Sequence, residues 1–204
     1  TGKRGPSRIA HTTPLIYTEG GVERLLSVAG DVVQSFDPKS GERLWSIAAQ
    51  GEGTVPSPVI ADGMIFTSSG YEKTLLRAVK LDGKGIVWEQ KKGTPTQPSL
   101  LHVKPYLYGV TDNGVATCWQ PATGELVWQE RLGEKQTYSA SPVYADGRIY
   151  LLSEKGETVV IAPGAEFKVL ARNPLGEKCQ ASMAVSRGRL YIRTEKTLFA
   201  IGAK

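Results

Sequence analysis

The feature that most constrains this chain is an internal repeat of roughly 42 residues that is marked by tryptophan. Trp45, Trp88 and Trp128 fall 43 and 40 residues apart, and each one ends a similar stretch of sequence. These stretches are residues 40–45 (SGERLW), 82–88 (DGKGIVW) and 123–128 (TGELVW). A repeat of this length predicts similar structural units that stack on one another, because a single unit cannot bury both of its apolar faces.

A second marker gives the number of units. Residues 57–63 (SPVIADG) recur 84 residues later as residues 141–147 (SPVYADG), and residues 98–105 (PSLLHVKP) align midway between them. Weaker copies begin at Thr13 and Ser182. The two markers together predict five units, at about 11–50, 54–92, 95–133, 137–173 and 179–204, which we expect to form a single domain over residues 1–204.

Each unit has the pattern of four short strands. In the second unit the predicted strands are Pro56–Ala61, Met64–Ser68, Leu75–Leu81 and Ile86–Gln90. Asp62-Gly63 lies between the first and second of these strands, and Asp82-Gly83 lies between the third and fourth. Glycine suits such turns because it readily adopts a positive φ. No apolar period of 3.6 residues persists for the length of a helix. Four strands in every unit of 40–45 residues predict an all-β fold of antiparallel β-propeller blades.

Composition supports a globular β domain. The chain has 23 glycines and 12 prolines, and it is 40% hydrophobic and 22% charged. This composition excludes a collagen and a disordered tail. It also excludes a bundle of membrane helices, because no run of about 18 apolar residues occurs. The sequence begins at Thr1 without an apolar signal core, from which we expect a processed or excised piece.

The two ends of the chain are in phase with the repeat. The fifth unit has three predicted strands and lacks a fourth, whereas residues 1–4 (TGKR) match the start of the fourth-strand pattern at residues 40–43 (SGER). We therefore expect residues 1–10 to complete the last blade as its outer strand. Pro6 takes the tryptophan position and cannot donate a backbone hydrogen bond, which fits an edge strand. Closure predicts a monomer, whereas an open arc would associate as a homodimer.

The three spaced tryptophans, Trp45, Trp88 and Trp128, are predicted to pack between blades, because one indole buries roughly 150–250 Å². In the fourth unit, Leu170 stands 42 residues after Trp128, where the next tryptophan is expected. The contact between the fourth and fifth blades should therefore be thinner than the others.

The Ser-Pro-apolar strand, the Asp-Gly turn and the TGELVW ending resemble PQQ-like β-propeller repeats, and among these the chain is most similar to the BamB-like group. The resemblance covers the whole chain and is strongest over residues 55–150. It implies a non-enzymatic scaffold that binds a protein or peptide partner in the periplasm or cell envelope, without a cofactor. Propellers of this family usually have seven or eight blades, so five units either close by themselves or form an arc of a larger ring.

The same repeat family includes quinoprotein dehydrogenases, so a fragment of a PQQ-dependent enzyme is one alternative. Those enzymes bind calcium through carboxylates and an asparagine, and many have a disulfide between adjacent cysteines. Here Cys118 and Cys179 are 61 residues apart, and Asn113 and Asn173 occur at a predicted turn and before a proline. The only histidines, His11 and His102, lie on predicted first strands without metal-ligand spacing. Another alternative is an isolated or engineered fragment of a longer propeller.

Charge points to one candidate binding surface. The formal net charge of +5 is concentrated at the ends, with +3 in residues 1–10 and +5 in residues 166–204 against −3 elsewhere. Arg189, Tyr191 and Arg193 alternate on one predicted strand and so share a face, which suits an acidic protein or anionic headgroups. A solvated or blade-packed row is the structural alternative. The sequence offers no fold motif for nucleic-acid binding.

Deletion of residues 1–8 tests the predicted closure. We expect a lower thermal unfolding temperature and lower solubility, because the deletion would expose a strand edge of the last blade. Calorimetry measures the unfolding temperature of the full and the truncated chain. Their masses in solution show whether each is monomeric, and a closed full chain should run as a 22.0 kDa monomer. Unchanged stability and solubility would contradict the closure.

Overall fold

The described chain is built of β-strands arranged in five antiparallel sheets. It is a computed structural model that describes residues 10–29, 31–48, 53–70 and 74–202. In every sheet the hydrogen-bonded order of the strands is their order along the chain. The all-β fold with about five propeller-type units is confirmed.

The first four sheets each have four strands. Sheet 1 contains β1 (Leu15–Glu19), β2 (Val22–Val28), β3 (Val32–Phe36) and β4 (Arg43–Ala48). Sheet 2 contains β5 (Val59–Ala61), β6 (Met64–Ser69), β7 (Leu75–Lys80) and β8 (Ile86–Gln90). Sheet 3 contains β9 (Leu101–Val103), β10 (Tyr106–Val110), β11 (Val115–Trp119) and β12 (Leu126–Arg131). Sheet 4 contains β13 (Val143–Ala145), β14 (Arg148–Leu152), β15 (Glu157–Ile161) and β16 (Val169–Pro174).

Sheet 5 differs from the others in having three strands among the described residues: β17 (Ala184–Ser186), β18 (Arg189–Arg193) and β19 (Leu198–Ile201). The predicted outer strand, residues 1–10, falls outside the described residues except for Ala10. Ala10 forms an isolated parallel bridge with Thr54, and the next backbone N–H, of His11, donates to the Thr54 carbonyl at 2.8 Å.

The first hairpin of a sheet is set by a two-residue turn. Asp62 and Gly63 have φ values of 49° and 72°, and the turns at residues 146–147 and 187–188 have nearly the same values. Two successive positive φ values give the turn whose twist matches that of paired strands. The predicted role of the Asp-Gly dipeptide is therefore confirmed. Sheet 3 has instead Lys104-Pro105, which is joined by a cis peptide bond.

One first strand is shorter than the sequence predicts. In the second unit, β5 begins at Val59 rather than at Pro56. Pro56 and Pro58 have no backbone N–H to donate, so pairing starts after the second proline. The other three strands of the second unit lie within one residue of their predicted ends.

The chain divides into two compact units, each with its own core. One consists of residues 1–96 with 122–124, and the other of residues 97–121 with 125–204. In the first, buried residues of sheets 1 and 2 pack together, among them Leu26, Val33, Ile65 and Val79. In the second, one cluster joins sheets 3 and 4, and another joins sheets 4 and 5 around Leu152 and Ile192.

Candidate functional site

The repeated tryptophans occupy one position in the hydrogen-bond register. Each lies opposite a residue of the third strand that is followed at once by a register shift, and the pairs are Trp45 with Ser35, Trp88 with Ala78, and Trp128 with Cys118. The residue before each tryptophan is the extra residue of a β-bulge, because it has no partner on the neighbouring strand. The bulge therefore recurs along with the indole.

In sheet 4 the corresponding residue is Ala171. It lies opposite Val160, directly before the register shift, whereas Leu170 is the extra bulge residue and is 44% exposed. The prediction that Leu170 takes the tryptophan position is therefore wrong by one residue. The reason is the connection between β15 and β16, which is one residue longer than the connection between β11 and β12.

In the first compact unit, each tryptophan packs on a glycine with positive φ. A Cβ added to Gly83, in the turn between β7 and β8, would lie 2.5 Å from ring atoms of Trp45. A Cβ added to Gly124 would lie 2.6 Å from the ring of Trp88. The Gln90 side chain also donates to the Gly124 carbonyl at 2.9 Å. Only a residue without a side chain leaves room for the indole here.

In the second compact unit, Trp128 also contacts a turn glycine. Its Nε1 donates to the carbonyl of Gly164, between β15 and β16, at 3.0 Å. The Gly164 N–H donates to the hydroxyl of Tyr108 at 2.9 Å. Phe167 packs on the indole with ring centroids 5.1 Å apart. Burial raises the pKa of the neighbouring Cys118 thiol to about 12. No repeat marker in the sequence predicts Gly164, Phe167 and Tyr108 as partners of Trp128.

The second sequence marker also connects neighbouring sheets. The backbone N–H of Ser99 donates to the hydroxyl of Ser141 at 3.0 Å, and the N–H of Ser141 donates to the hydroxyl of Ser182 at 2.9 Å. Each hydroxyl thus holds the first strand of one sheet beside that of the next. The recurrence of serine at this position follows from this hydrogen bond.

A cleft opens between sheets 4 and 5, at the junction that lacks a tryptophan. Its volume is about 690 Å³. Tyr150, Thr158 and Asn173 line it on the side of sheet 4, and apolar side chains of sheet 5 line the other side: Val185, Leu190, Ile192 and Ile201. Ile201 is 44% exposed, whereas Ile161, its counterpart in sheet 4, is 1% exposed. The thinner contact expected between these two sheets stays a prediction.

The candidate surface on β18 has the predicted alternation. Arg189 and Arg193 are exposed and Tyr191 is half-buried, while Ile192 on the opposite face lies in the core. Arg193 lies opposite Leu198, which is 65% exposed and extends the same face. Arg189 also lies at the edge of the cleft. The result is an exposed surface of two guanidinium groups, one phenol and one leucine side chain.

Two carboxylates stabilise the turns and strands of the sheets in which they lie. The carboxylate of Asp37 accepts backbone hydrogen bonds from Ser40 and Lys39, which lower its pKa. Glu177 accepts hydrogen bonds from the hydroxyls of Thr194 and Thr197, and the bond from Thr194 contributes most to lowering its pKa. Both groups stay ionised well below neutral pH and hold the adjacent chain in place.

The residues that a quinone cofactor would need are not brought together. Cys118 and Cys179 are buried free thiols, and Asn113 is bonded within its turn to the hydroxyl of Thr111. His102 lies on β9, whereas His11 precedes β1, which corrects its predicted place on a first strand. Within the described ranges, no group of three or more histidine, cysteine or acidic side chains could hold a metal ion. Among the described residues, these donors do not form one site for a quinone and its calcium ion.

Comparison with known proteins shows the kind of repeat. The model of the family described as outer membrane protein assembly factor BamB matches residues 72–166. BamB of Yersinia pestis is 24% identical over 179 residues, which are 79% of this chain and 43% of that protein. The predicted resemblance to BamB-like PQQ repeats is confirmed. The solved structure of BamB from Moraxella catarrhalis matches this fold with a TM-score of 0.73 at 13% identity, over 94% of this chain and 59% of that one.

The chain matches part of the length of these relatives. It spans about two fifths of the length of the curated BamB proteins that it matches. A quinohemoprotein alcohol dehydrogenase from Pseudomonas putida HK5 shares the fold with a TM-score of 0.60 at 14% identity, over 74% of this chain and 33% of that one. The part of the BamB-like chain that the structure describes contains no helix able to cross a lipid bilayer.

Substitution of Gly83 by alanine tests the contact between tryptophan and glycine. Gly41→Ala is a matched control, since Gly41 has the same φ of 73° in the corresponding turn and open space where the Cβ would lie. We expect both variants to lose about 1–2 kcal/mol from backbone strain. Gly83→Ala should lose a further ~1–3 kcal/mol because the new methyl group displaces Trp45. Urea unfolding measures the free energy of unfolding of both variants. Equal losses would show that the contact between Trp45 and Gly83 does not stabilise the fold.

Proposed function

We propose that this BamB-like chain is a non-enzymatic scaffold that binds a protein or peptide partner in the periplasm or cell envelope. The observation that carries this proposal is the match to the BamB family model over residues 72–166. The matched relatives are named as outer membrane protein assembly factors, and their role requires contact with other proteins. Fold alone does not support this function, because propellers with the same fold also include enzymes.

The surface on β18 supports a specific place for the partner. Arg189 and Arg193 can form bidentate hydrogen bonds with carboxylates, and Tyr191 offers an apolar ring with a polar end. The exposed side chain of Leu198 adds apolar area on the same face. Arginine and tyrosine are enriched where proteins bind one another. We propose an acidic segment of the partner as the ligand of this surface.

The double variant Arg189→Ala/Arg193→Ala tests this surface. We expect it to bind an acidic extended peptide about 3–10 times more weakly at low ionic strength, because it lacks both charge-assisted hydrogen bonds. The control, Lys39→Ala/Arg43→Ala, removes the same charge from exposed positions of sheet 1. Isothermal titration at two salt concentrations measures the affinities. An equal loss in both double variants would show a general effect of charge and contradict the assignment.

The alternative, a fragment of a quinoprotein dehydrogenase, is supported by the fold that the chain shares with such an enzyme. Titration with PQQ and Ca²⁺ distinguishes it from the scaffold. We expect no saturable binding and no dye-linked dehydrogenase activity, because the described carboxylates and asparagines do not converge on one site. A stoichiometric complex with activity would overturn the scaffold proposal.

A further inference from the structure

The cleft between sheets 4 and 5 differs from the other described junctions in a way that suggests what it binds. Elsewhere an indole from the fourth strand lies on a glycine of a following turn, as Trp45 does on Gly83 and Trp128 does at Gly164. At this junction the corresponding residue is Ala171. At this register position sheet 4 therefore has a methyl group where sheets 1 to 3 have an indole, and Asn173, two residues further along the strand, lines the cleft.

The walls of the cleft have the chemistry of an aromatic site. Leu190, Ile192 and Ile201 present an apolar wall on sheet 5, and Tyr150 offers a ring on sheet 4. Its volume of about 690 Å³ lies in the range of small-ligand sites, roughly 300–1,000 Å³. Such sites combine apolar walls with few polar groups that orient the ligand.

The polar groups of the cleft suit an indole. Thr158 and Asn173 lie opposite each other on β15 and β16, and both line the cleft. The amide oxygen of Asn173 can accept the indole N–H, as the carbonyl of Gly164 does for Trp128. Arg189, at the start of β18, lies at the rim of the cleft beside Leu190 of the apolar wall.

Ala171 lies on the face of sheet 4 that borders the cleft. Its register partner, Val160, shares this face with Tyr150 and Thr158, because alternate residues of a strand point the same way. A larger side chain at position 171 would therefore project into the cleft. The exposed Leu170 is the bulge residue beside it, outside the paired register.

We propose that this cleft binds a tryptophan side chain of the protein partner, next to the acidic segment held by Arg189 and Arg193. The proposal rests on the proposed function and identifies the partner's chemistry. Arg189 lies at the rim of the cleft and also belongs to the charged surface on the other face of sheet 5, so a partner that crosses this rim can contact both. The partner's indole would supply the packing that Ala171 does not.

The test uses 3-methylindole and two peptides with the full chain. The peptides are the acetylated amides of Glu-Thr-Trp-Thr-Glu and of the same sequence with alanine in place of tryptophan. We expect saturable binding of 3-methylindole, of roughly millimolar affinity for so small a ligand, with NMR shift changes at Leu190 and Ile201. The tryptophan peptide should bind at least about 10 times more tightly than the alanine peptide.

Ala171→Trp should bind the tryptophan peptide no more tightly than the alanine peptide, because the new indole fills the cleft. Its thermal unfolding temperature should stay the same or rise. The control Leu170→Trp adds the same ring at the exposed neighbouring position and should keep the preference. Asn173→Leu should weaken 3-methylindole binding about threefold and leave binding of 1,3-dimethylindole, which has no N–H, unchanged.

Several results would overturn the proposal. One is equal binding of the tryptophan peptide by Ala171→Trp and the unaltered chain. Another is binding of 3-methylindole only after deletion of residues 1–8, which would identify the chain's own N-terminal segment as the occupant. If both peptides bind equally through Arg189 and Arg193, the cleft proposal fails while the scaffold function stands. If neither peptide binds but 3-methylindole does, the proposed acidic ligand fails instead.

Discussion

The packing of three of the five described sheets depends on one contact, between a tryptophan on the fourth strand and a glycine in a following turn. Gly83 and Gly124 have a positive φ and leave no room for a Cβ beside the indole, and the indole must leave its strand at a fixed point in the register. A β-bulge beside the tryptophan meets the second requirement in three sheets. Burial of one such ring contributes roughly 4–6 kcal/mol before the entropy of ordering is subtracted.

This contact explains why the sequence repeats where it does. The TGELVW pattern contains both halves of the interaction, since its glycine receives one indole and its tryptophan contacts the next turn. Gly124 and Trp128 are four residues apart and serve two different junctions. Because each pattern takes part in two contacts, a change in either residue affects a junction while the sheet itself keeps its hydrogen bonds. The serine hydroxyls at positions 141 and 182 add a polar link at the first strands.

Much of the fold could be predicted because its determinants are local. The Asp62-Gly63 turn needs only its own backbone conformation, and the strands beside it follow from alternation of polar and apolar residues. The ends of the first strands were harder to predict, because Pro56 and Pro58 look like part of an apolar strand but cannot donate to a neighbour. The shift from Leu170 to Ala171 depends on one additional residue in a turn, which spacing measured from tryptophan to tryptophan does not reveal.

The cleft could be anticipated only in part, for a reason that concerns how repeats acquire binding sites. A missing tryptophan predicts a thin junction, but the open volume depends on which side chains of sheet 5 move in and which stay exposed. Ile192 reaches the core beside Leu152, whereas Ile201 stays 44% exposed at the opening. A repeat protein can therefore gain a site by losing one packing residue at one junction, while the neighbouring junctions keep the fold stable. Where Ala171 takes the register position of a tryptophan, a cleft of about 690 Å³ lies between sheets 4 and 5, and Arg189 is among its lining residues.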